Sequence, residues 1–173
     1  MKLQIVDHAT ALLVERGLAH WSLDALATRA GCAKGLLLYH HRSKASLLAA
    51  VAVQLRLERH RRRVAALRPG GPAGIDALWL LLAEEATSGQ SAAWLSLVAL
   101  AEPGVRECTR STVGEIRELG SAASGALDLE GDPEELGRVV AATLDGFEVN
   151  LLVDGHEPEL REAYHRHWLG LLG

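Results

Sequence analysis

The stretch Ser22–Lys44, SLDALATRAGCAKGLLLYHHRSK, constrains this chain more than any other. Ser22 offers a side-chain oxygen to the free amides of a first helical turn. Leu23, Leu26, Ala27 and Ala30 follow at i, i+3, i+4 and i+7, the spacing of one helix face. Gly31 ends that helix, because glycine enters the left-handed cap conformation without steric cost. The turn Gly31-Cys32-Ala33 is too short for the next helix, about Ala33 to His41, to run back alongside the first. The two must cross steeply, as in a helix-turn-helix. Lys34, Tyr39, His40 and His41 are the polar residues of the second helix, and Arg42 and Lys44 follow at once. Small residues, an aromatic hydroxyl and cations on a short exposed helix suit a DNA major groove.

The surrounding run extends the pattern. It contains Ile5-Val6-Asp7, Ala9, Glu15-Arg16-Gly17, Ser22-Leu23, Leu26-Ala27, Ala30-Gly31, Ala33-Lys34-Gly35, Tyr39-His40, Ser43-Lys44-Ala45 and Leu47. In these residues, about the first 48, the chain resembles the DNA-binding domain of the TetR family of bacterial transcriptional repressors. The resemblance implies a cytoplasmic homodimer on a palindromic operator in double-stranded DNA. It implies contacts from Ala33, Lys34, Gly35, Leu38, Tyr39, His40 and Lys44, and release by a small-molecule effector. Two positions depart from the family pattern. Leu38 stands where a tyrosine is usual and cannot hydrogen-bond a phosphate, so Tyr39 is expected to carry more of that contact. His41 stands where a core phenylalanine is usual, and the expectation is a half-exposed side chain at the helix end.

At 173 residues and 49% hydrophobic, the chain is globular and long enough for a core. The longest apolar run, near Ala77–Ala83, is far too short to span a membrane. Asp7 puts an acid too early for a secretory signal. Cys32 and Cys108 are distant in sequence, which fits a reducing compartment without a disulfide framework.

Charge is divided unevenly. Residues 1–68 carry 12 Lys or Arg against 4 Asp or Glu, and residues 69–173 carry 6 against 18. A basic first third on an acidic remainder is what a DNA-binding head on a soluble body requires. Much of the positive charge nevertheless lies in Arg56–Arg68. Along a helix starting at Ser43, Arg62 would lie roughly 27 Å from the DNA end. The run Arg59–Arg63 therefore reads as a solvated helix face. Lys2, Arg16, Arg29, Lys34, Arg42 and Lys44 remain as the head's cations near DNA, so the head is only modestly basic.

The rest of the chain reads as helix. Residues 2–17 form a first helix, and Trp21 anchors the head. A fourth helix runs from Ser43 to about Leu67, before the breaker Arg68-Pro69-Gly70-Gly71-Pro72. Ile75, Leu78, Trp79 and Leu82 form the next stripe. Ser91 caps a segment with Trp94, Leu95 and Val98. Val105, Cys108, Thr112, Ile116, Leu119, Ala123 and Leu127 keep one helical spacing throughout. Asp132-Pro133-Glu134-Glu135 starts a long helix, and Pro158-Glu159 starts a last one with Leu160, Tyr164, Trp168 and Leu171. The expected fold is all-α with about nine helices. A three-helix head (1–45) is followed by a helical-bundle body for effector binding and dimerisation (46–173).

No catalytic constellation emerges, and an enzyme is not expected. No two of the eight histidines are three or four residues apart, so no helix presents a His pair to a metal, and no cofactor is expected. Cys32 reads as a turn filler and Cys108 as a core thiol. The penultimate helix is apolar on two faces, with Leu144, Phe147 and Leu151 on one and Val149 and Leu152 on another. With Tyr164 and Trp168 of the last helix, Val149 and Leu152 make the candidate dimer surface implied by the resemblance. Trp79, Trp94, Val98 and Phe147 are the candidates for an apolar effector pocket, although large aromatics equally fill cores. Glu84, Glu85, Glu102, Asp145 and Glu148 would favour a cationic effector if any faced the pocket, but acids on such helices mostly face water. The alternative function is a helical DNA-binding protein regulated by a protein partner instead of a small molecule.

Overall fold

The computed structural model describes residues 2–100, 102–155 and 158–170, without the side chains of Lys2 and Leu3. Lys2 as a DNA-proximal cation and Leu171 as a stripe residue therefore lie outside what is described. Among the described residues there are α-helices, one short 3-10 turn and no strand. The helices are α1 (Lys2–Arg16), α2 (Leu23–Ala30), α3 (Lys34–His41), α4 (Lys44–Leu67) and α5 (Gly71–Thr87). They continue as α6 (Gln90–Val98), α7 (Pro103–Thr109), α8 (Val113–Leu127), α9 (Pro133–Asp154) and α10 (Pro158–Leu169). No described helix is long and apolar enough to cross a membrane.

The all-α expectation holds, but Ser91 does not cap α6: it is buried inside the helix, and Gly89 takes the N-cap position. A second difference lies between Val105 and Leu127. This stretch is two helices, not one. Thr112 caps α8 with a reciprocal pair: its Oγ1 accepts from the Glu115 amide at 3.2 Å, and its own amide donates to Glu115 Oε2 at 2.7 Å. The apolar spacing stays in phase across the break, so periodicity hides it, whereas the Thr-x-x-Glu capping box marks it.

The chain forms two compact units that are not contiguous in sequence. One comprises residues 1–58 and 88–110, the other residues 59–87 and 111–173. In the first unit, Leu12 and Leu13 of α1, Leu26 of α2, Leu37 of α3, Leu47 and Val51 of α4, and Leu97 of α6 share one core. Trp21 is buried there, and its indole donates to the Ala9 carbonyl at 2.9 Å. Gly89 starts α6 at φ +85°, where a Cβ would also lie 2.7 Å from the Val14 carbonyl oxygen. Glycine is thus required there both by backbone conformation and by close approach.

In the second unit, α8 and α9 meet backbone to backbone. A Cβ on Gly120 would lie 1.8 Å from the Pro133 carbonyl oxygen, and one on Gly137 would lie 1.9 Å from that of Ile116. Leu78, Trp79, Leu82, Leu144, Tyr164 and Trp168 fill the core. The Tyr164 hydroxyl donates to the Ile75 carbonyl at 3.0 Å, and burial pushes its pKa well above the ordinary phenolic value.

The run Arg59–Arg63 corrects the sequence reading. Arg59 and Arg63 are 3% and 7% exposed, and Glu85 and Glu148 are fully buried. Arg59 donates to both oxygens of Glu148 at 2.8 and 2.6 Å and to Glu85 at 2.8 Å. Arg63 reaches Asp145 at 2.9 Å and Glu148 at 3.4 Å. Four residues apart, the two arginines share one face of α4, and that face turns inward onto acids of α5 and α9. Burial opposes the Arg59 charge, but the Glu148 hydrogen bonds and the nearby carboxylates outweigh it and hold its pKa above the ordinary value. Burial pushes the Glu85 carboxyl above its ordinary range, against the opposing pull of Arg59.

Two outcomes test this cluster. Glu148→Gln removes the forked partner of a buried charge, a change that typically costs about 3–5 kcal/mol. Urea unfolding followed by circular dichroism should show that loss, and adding Arg59→Met should recover part of it. A loss no larger than the ~1 kcal/mol of an exposed pair would contradict the burial. Glu85 gives a pH signature. Its native carboxyl titrates above the ordinary 4.5, so its stabilising contribution is complete below 4.5 and is lost as pH rises through the raised native value. Glu85→Gln should therefore gain in Tm relative to wild type as pH rises from about 4 to about 8, and a difference that stays flat would contradict the raised pKa.

Candidate nucleic-acid interface

The helix-turn-helix is built from α2 and α3. The Ser22 side chain accepts from the Ala25 amide at 3.1 Å and starts α2. Gly31 ends α2 in the left-handed region at φ +61°, and the Cys32 amide returns to the Ala27 carbonyl at 3.0 Å. This closed cap sends the chain directly into α3. Leu37 and His41 of α3 face the core, while Ala33, Lys34, Gly35, Leu38 and Tyr39 are exposed and His40 is half-buried. Tyr39, 81% exposed, projects the one hydroxyl of α3, with its ring edge-on to that of His40. Leu38 is also exposed and contributes apolar contact only.

His41 corrects a second expectation. It is 4% exposed instead of half-exposed. Its position one turn beyond Leu37 puts it on the inward face of α3, so the helix end gives it no route to solvent. Arg42 closes α3 at φ +59°, ψ −37°, a positive-φ conformation that non-glycine residues seldom adopt. Ser43 then caps α4 by accepting from the Ser46 amide at 3.0 Å.

Part of the head's charge is engaged within the unit. Arg29 forks onto Glu15 at 2.6 and 2.7 Å, which holds the Glu15 carboxyl below its ordinary range. Lys34 pairs with Asp24 at 2.9 Å. Lys44 lies 3.3 Å from the Trp21 carbonyl and over the Trp21 ring. Its ammonium is therefore held against Trp21, with donors left over that could reach one phosphate.

The other candidate residues divide. Trp79 and Phe147 both abut Tyr164, with ring centroids 5.1 Å away in each case. Trp94 packs on the first unit's core, and Val98, 41% exposed, belongs to that unit as well. The four proposed effector contacts therefore do not share one unit. Of the candidate dimer residues, Val149 is 44% exposed and Leu152 half-buried. Tyr164 and Trp168 are at most 1% exposed and serve the core of their own unit, which removes them from any free surface. The Tyr164 hydroxyl bond to the Ile75 carbonyl explains the former. Sequence reasoning missed the rest of the exposed face of α9. Val139, Ala142, Gly146, Val149 and Val153 follow at i, i+3, i+7, i+10 and i+14, all exposed. The signal was present as a small and β-branched stripe opposite Leu144 and Leu151. No group of three His, Cys, Asp or Glu side chains among the described residues is placed to hold a metal ion.

Residues 5–51 match the family model "Bacterial regulatory proteins, tetR family". No match is found among curated proteins. A Rhodococcus sp. chain described as a TetR-family transcriptional regulator superposes with TM-score 0.71 at 22% identity, covering 99% of this chain and 98% of the other. The multidrug-binding protein EbrR, complexed with ethidium, gives the same TM-score, identity and coverage. The regulator FadR from Bacillus subtilis, in complex with stearoyl-CoA, gives TM-score 0.66 at 14% identity over 99% and 97% of the two chains. At these identities the structures share the fold, and the family model supplies the sequence relationship. Residues 5–51 are thus similar to the tetR-family model, and the chain shares the fold of these solved structures.

Proposed function

We propose that this regulator is a homodimeric repressor, not an enzyme, that binds a palindromic operator and is released by a small, apolar molecule. Residues 1–45 read the DNA through Ala33, Lys34, Gly35, Leu38, Tyr39, His40 and Lys44, and residues 46–173 hold the effector and the dimer contact. The observation that carries this reading is the outward face of α3, where Tyr39 stands clear of the protein while Leu37 and His41 fix the helix from behind. A twofold site needs two heads. The exposed α9 stripe supports a second copy as the partner, because Gly146 has open space in front of it and lets two such helices approach closely. Effector binding is supported by a cavity of about 450 Å³ among Val64, Leu67, Gly70, Ala122 and Ala126. That volume suits a small molecule. EbrR and FadR bind ethidium and stearoyl-CoA respectively, so the fold accommodates ligands of very different chemistry. The effector would act by stabilising a body shape in which the recognition helices no longer match successive major grooves.

Mobility shifts on a selected duplex test the reading head. Few phosphate contacts per head give a salt slope of about −4 to −6 for the dimer. Lys34 and Arg29 are already paired, which favours the shallow end. Lys44→Ala should weaken binding to all sequences alike and flatten the slope by about one unit per head. Tyr39→Phe should also weaken binding, since Leu38 has no hydroxyl to substitute; wild-type affinity in this variant would remove Tyr39 from the phosphate contact.

Val149→Glu and Val153→Glu test the dimer. Both positions are exposed on the single chain, so the charge should leave its fold intact. At a dimer seam the same charge becomes buried and unpaired, which typically costs several kcal/mol, enough to shift a dimer toward monomer at micromolar concentration. Sedimentation should report monomers with undiminished helical circular dichroism. Persistent dimers in both variants would place the seam elsewhere.

A further inference from the structure

Resting on the reading of α3 as the helix that enters the DNA, we propose that Arg42 is a phosphate anchor of the head, placed at the junction of α3 and α4 by a strained turn. The Arg42 amide donates to the Leu38 carbonyl at 2.7 Å, and the next amide, that of Ser43, turns back to the His41 carbonyl at 2.6 Å. A bond from residue i+2 to residue i makes Arg42 the centre of a γ-turn. Its φ of +59° and ψ of −37° belong to the rare, strained form of that turn. Glycine would enter such a conformation without steric cost, and Asn or Asp would take positive φ more readily than arginine. The chain nevertheless has arginine there, and strain of this kind concentrates where a side chain is needed for function.

The Arg42 side chain is exposed and makes no hydrogen bond or ion pair among the described residues. The cations around it differ: Arg29 forks onto Glu15, Lys34 pairs with Asp24, and Lys44 is held against Trp21. Arg42 therefore keeps its guanidinium donors for a partner outside the chain. Their planar fork matches two oxygens of one phosphate. The position fits that partner. Tyr39, 81% exposed, lies one turn earlier on α3, and Lys44 opens α4 two residues later. With 8 residues, α3 is about 12 Å long, close to the width of a B-DNA major groove, so the end of the helix comes up to a phosphate wall of the groove. Leu38 offers that wall no donor, and Arg42 supplies one. Such a contact fixes the helix on the duplex without preferring a base. A charge needed for solubility alone has unstrained exposed positions to occupy.

Arg42→Ala and Arg42→Gly separate the charge from the turn. Both remove the guanidinium. In mobility shifts over a range of salt, each should bind the duplex selected with the wild-type chain about tenfold more weakly at physiological salt and flatten the salt slope by about one unit per head. Unselected duplex should weaken alike. Arg42→Lys keeps the charge without the fork, so it should hold the slope and lose about two- to fivefold in affinity. Thermal unfolding should place Arg42→Gly about 2–4 °C above Arg42→Ala, because only glycine relieves the turn. Circular dichroism should be that of wild type in all three variants, since the side chain leaves no partner within the chain unpaired. Wild-type affinity and slope in both the Ala and Gly variants, a loss confined to the selected sequence, or Arg42→Gly melting no higher than Arg42→Ala would each overturn the proposal and leave the reading of α3 in place. A wild-type chain with no preference for any duplex would remove that reading, and this proposal with it.

Discussion

The direction of α3 depends on one backbone conformation. Gly31 takes φ +61°, and the amides of Gly31 and Cys32 satisfy carbonyls at the end of α2. A side chain at that position would strain the cap, and a looser turn would let α3 drift along α2. With the turn closed, Leu37 and His41 seat α3 on the core, and Tyr39 is directed outward as a consequence. The positive φ of Arg42 ends the helix before it can bury its polar face, and Ser43 begins α4 immediately. The exposed face of α3 is therefore fixed at both ends by backbone geometry and from behind by packing, which is what the proposed contact set, only a few residues long, requires.

The second unit meets a different constraint. Arg59 and Arg63 bring charge into its interior, and Glu85, Glu148 and Asp145 answer it from two other helices. Such a cluster is a weak source of net stability, because desolvation offsets most of the Coulomb attraction. It is demanding in geometry, however. The forked Arg59–Glu148 contact is satisfied only when α4 and α9 hold one register, so the cluster selects an arrangement more than it strengthens one. The two glycines at the α8–α9 crossing act in the same sense, since any side chain at Gly120 or Gly137 would collide with the facing backbone.

Much of this was legible in the sequence, for identifiable reasons. Caps and breakers are local chemistry, so Ser22, Gly31, Asp132-Pro133 and the break after Leu67 placed most helix ends. The outward residues of α3 were legible because the motif fixes its register against the core. The misreadings share one cause: periodicity reports which positions are apolar, not where polar positions point. Arg59, Arg63, Glu85 and Glu148 looked solvated because charged residues usually are, and only the facing helices reveal the pairing. His41 was misjudged by the same habit. Tyr164 and Trp168 were assigned to a surface because an aromatic stripe looks alike whether its own chain or a second copy covers it. Conversely, the small-residue face of α9 was overlooked because Ala142 and Gly146 contribute little to an apolar stripe.

The central claim is that two copies of α3 read a twofold site. It is tested most directly by selecting duplexes from a randomised pool with the purified chain at physiological salt and sequencing what is retained. The account predicts an inverted repeat whose half-sites lie about one helical turn, roughly 34–36 Å, or a multiple of it apart, retained by wild type and lost with Tyr39→Ala. A pool that stays random, or a retained sequence with no twofold relation between its halves, would contradict it.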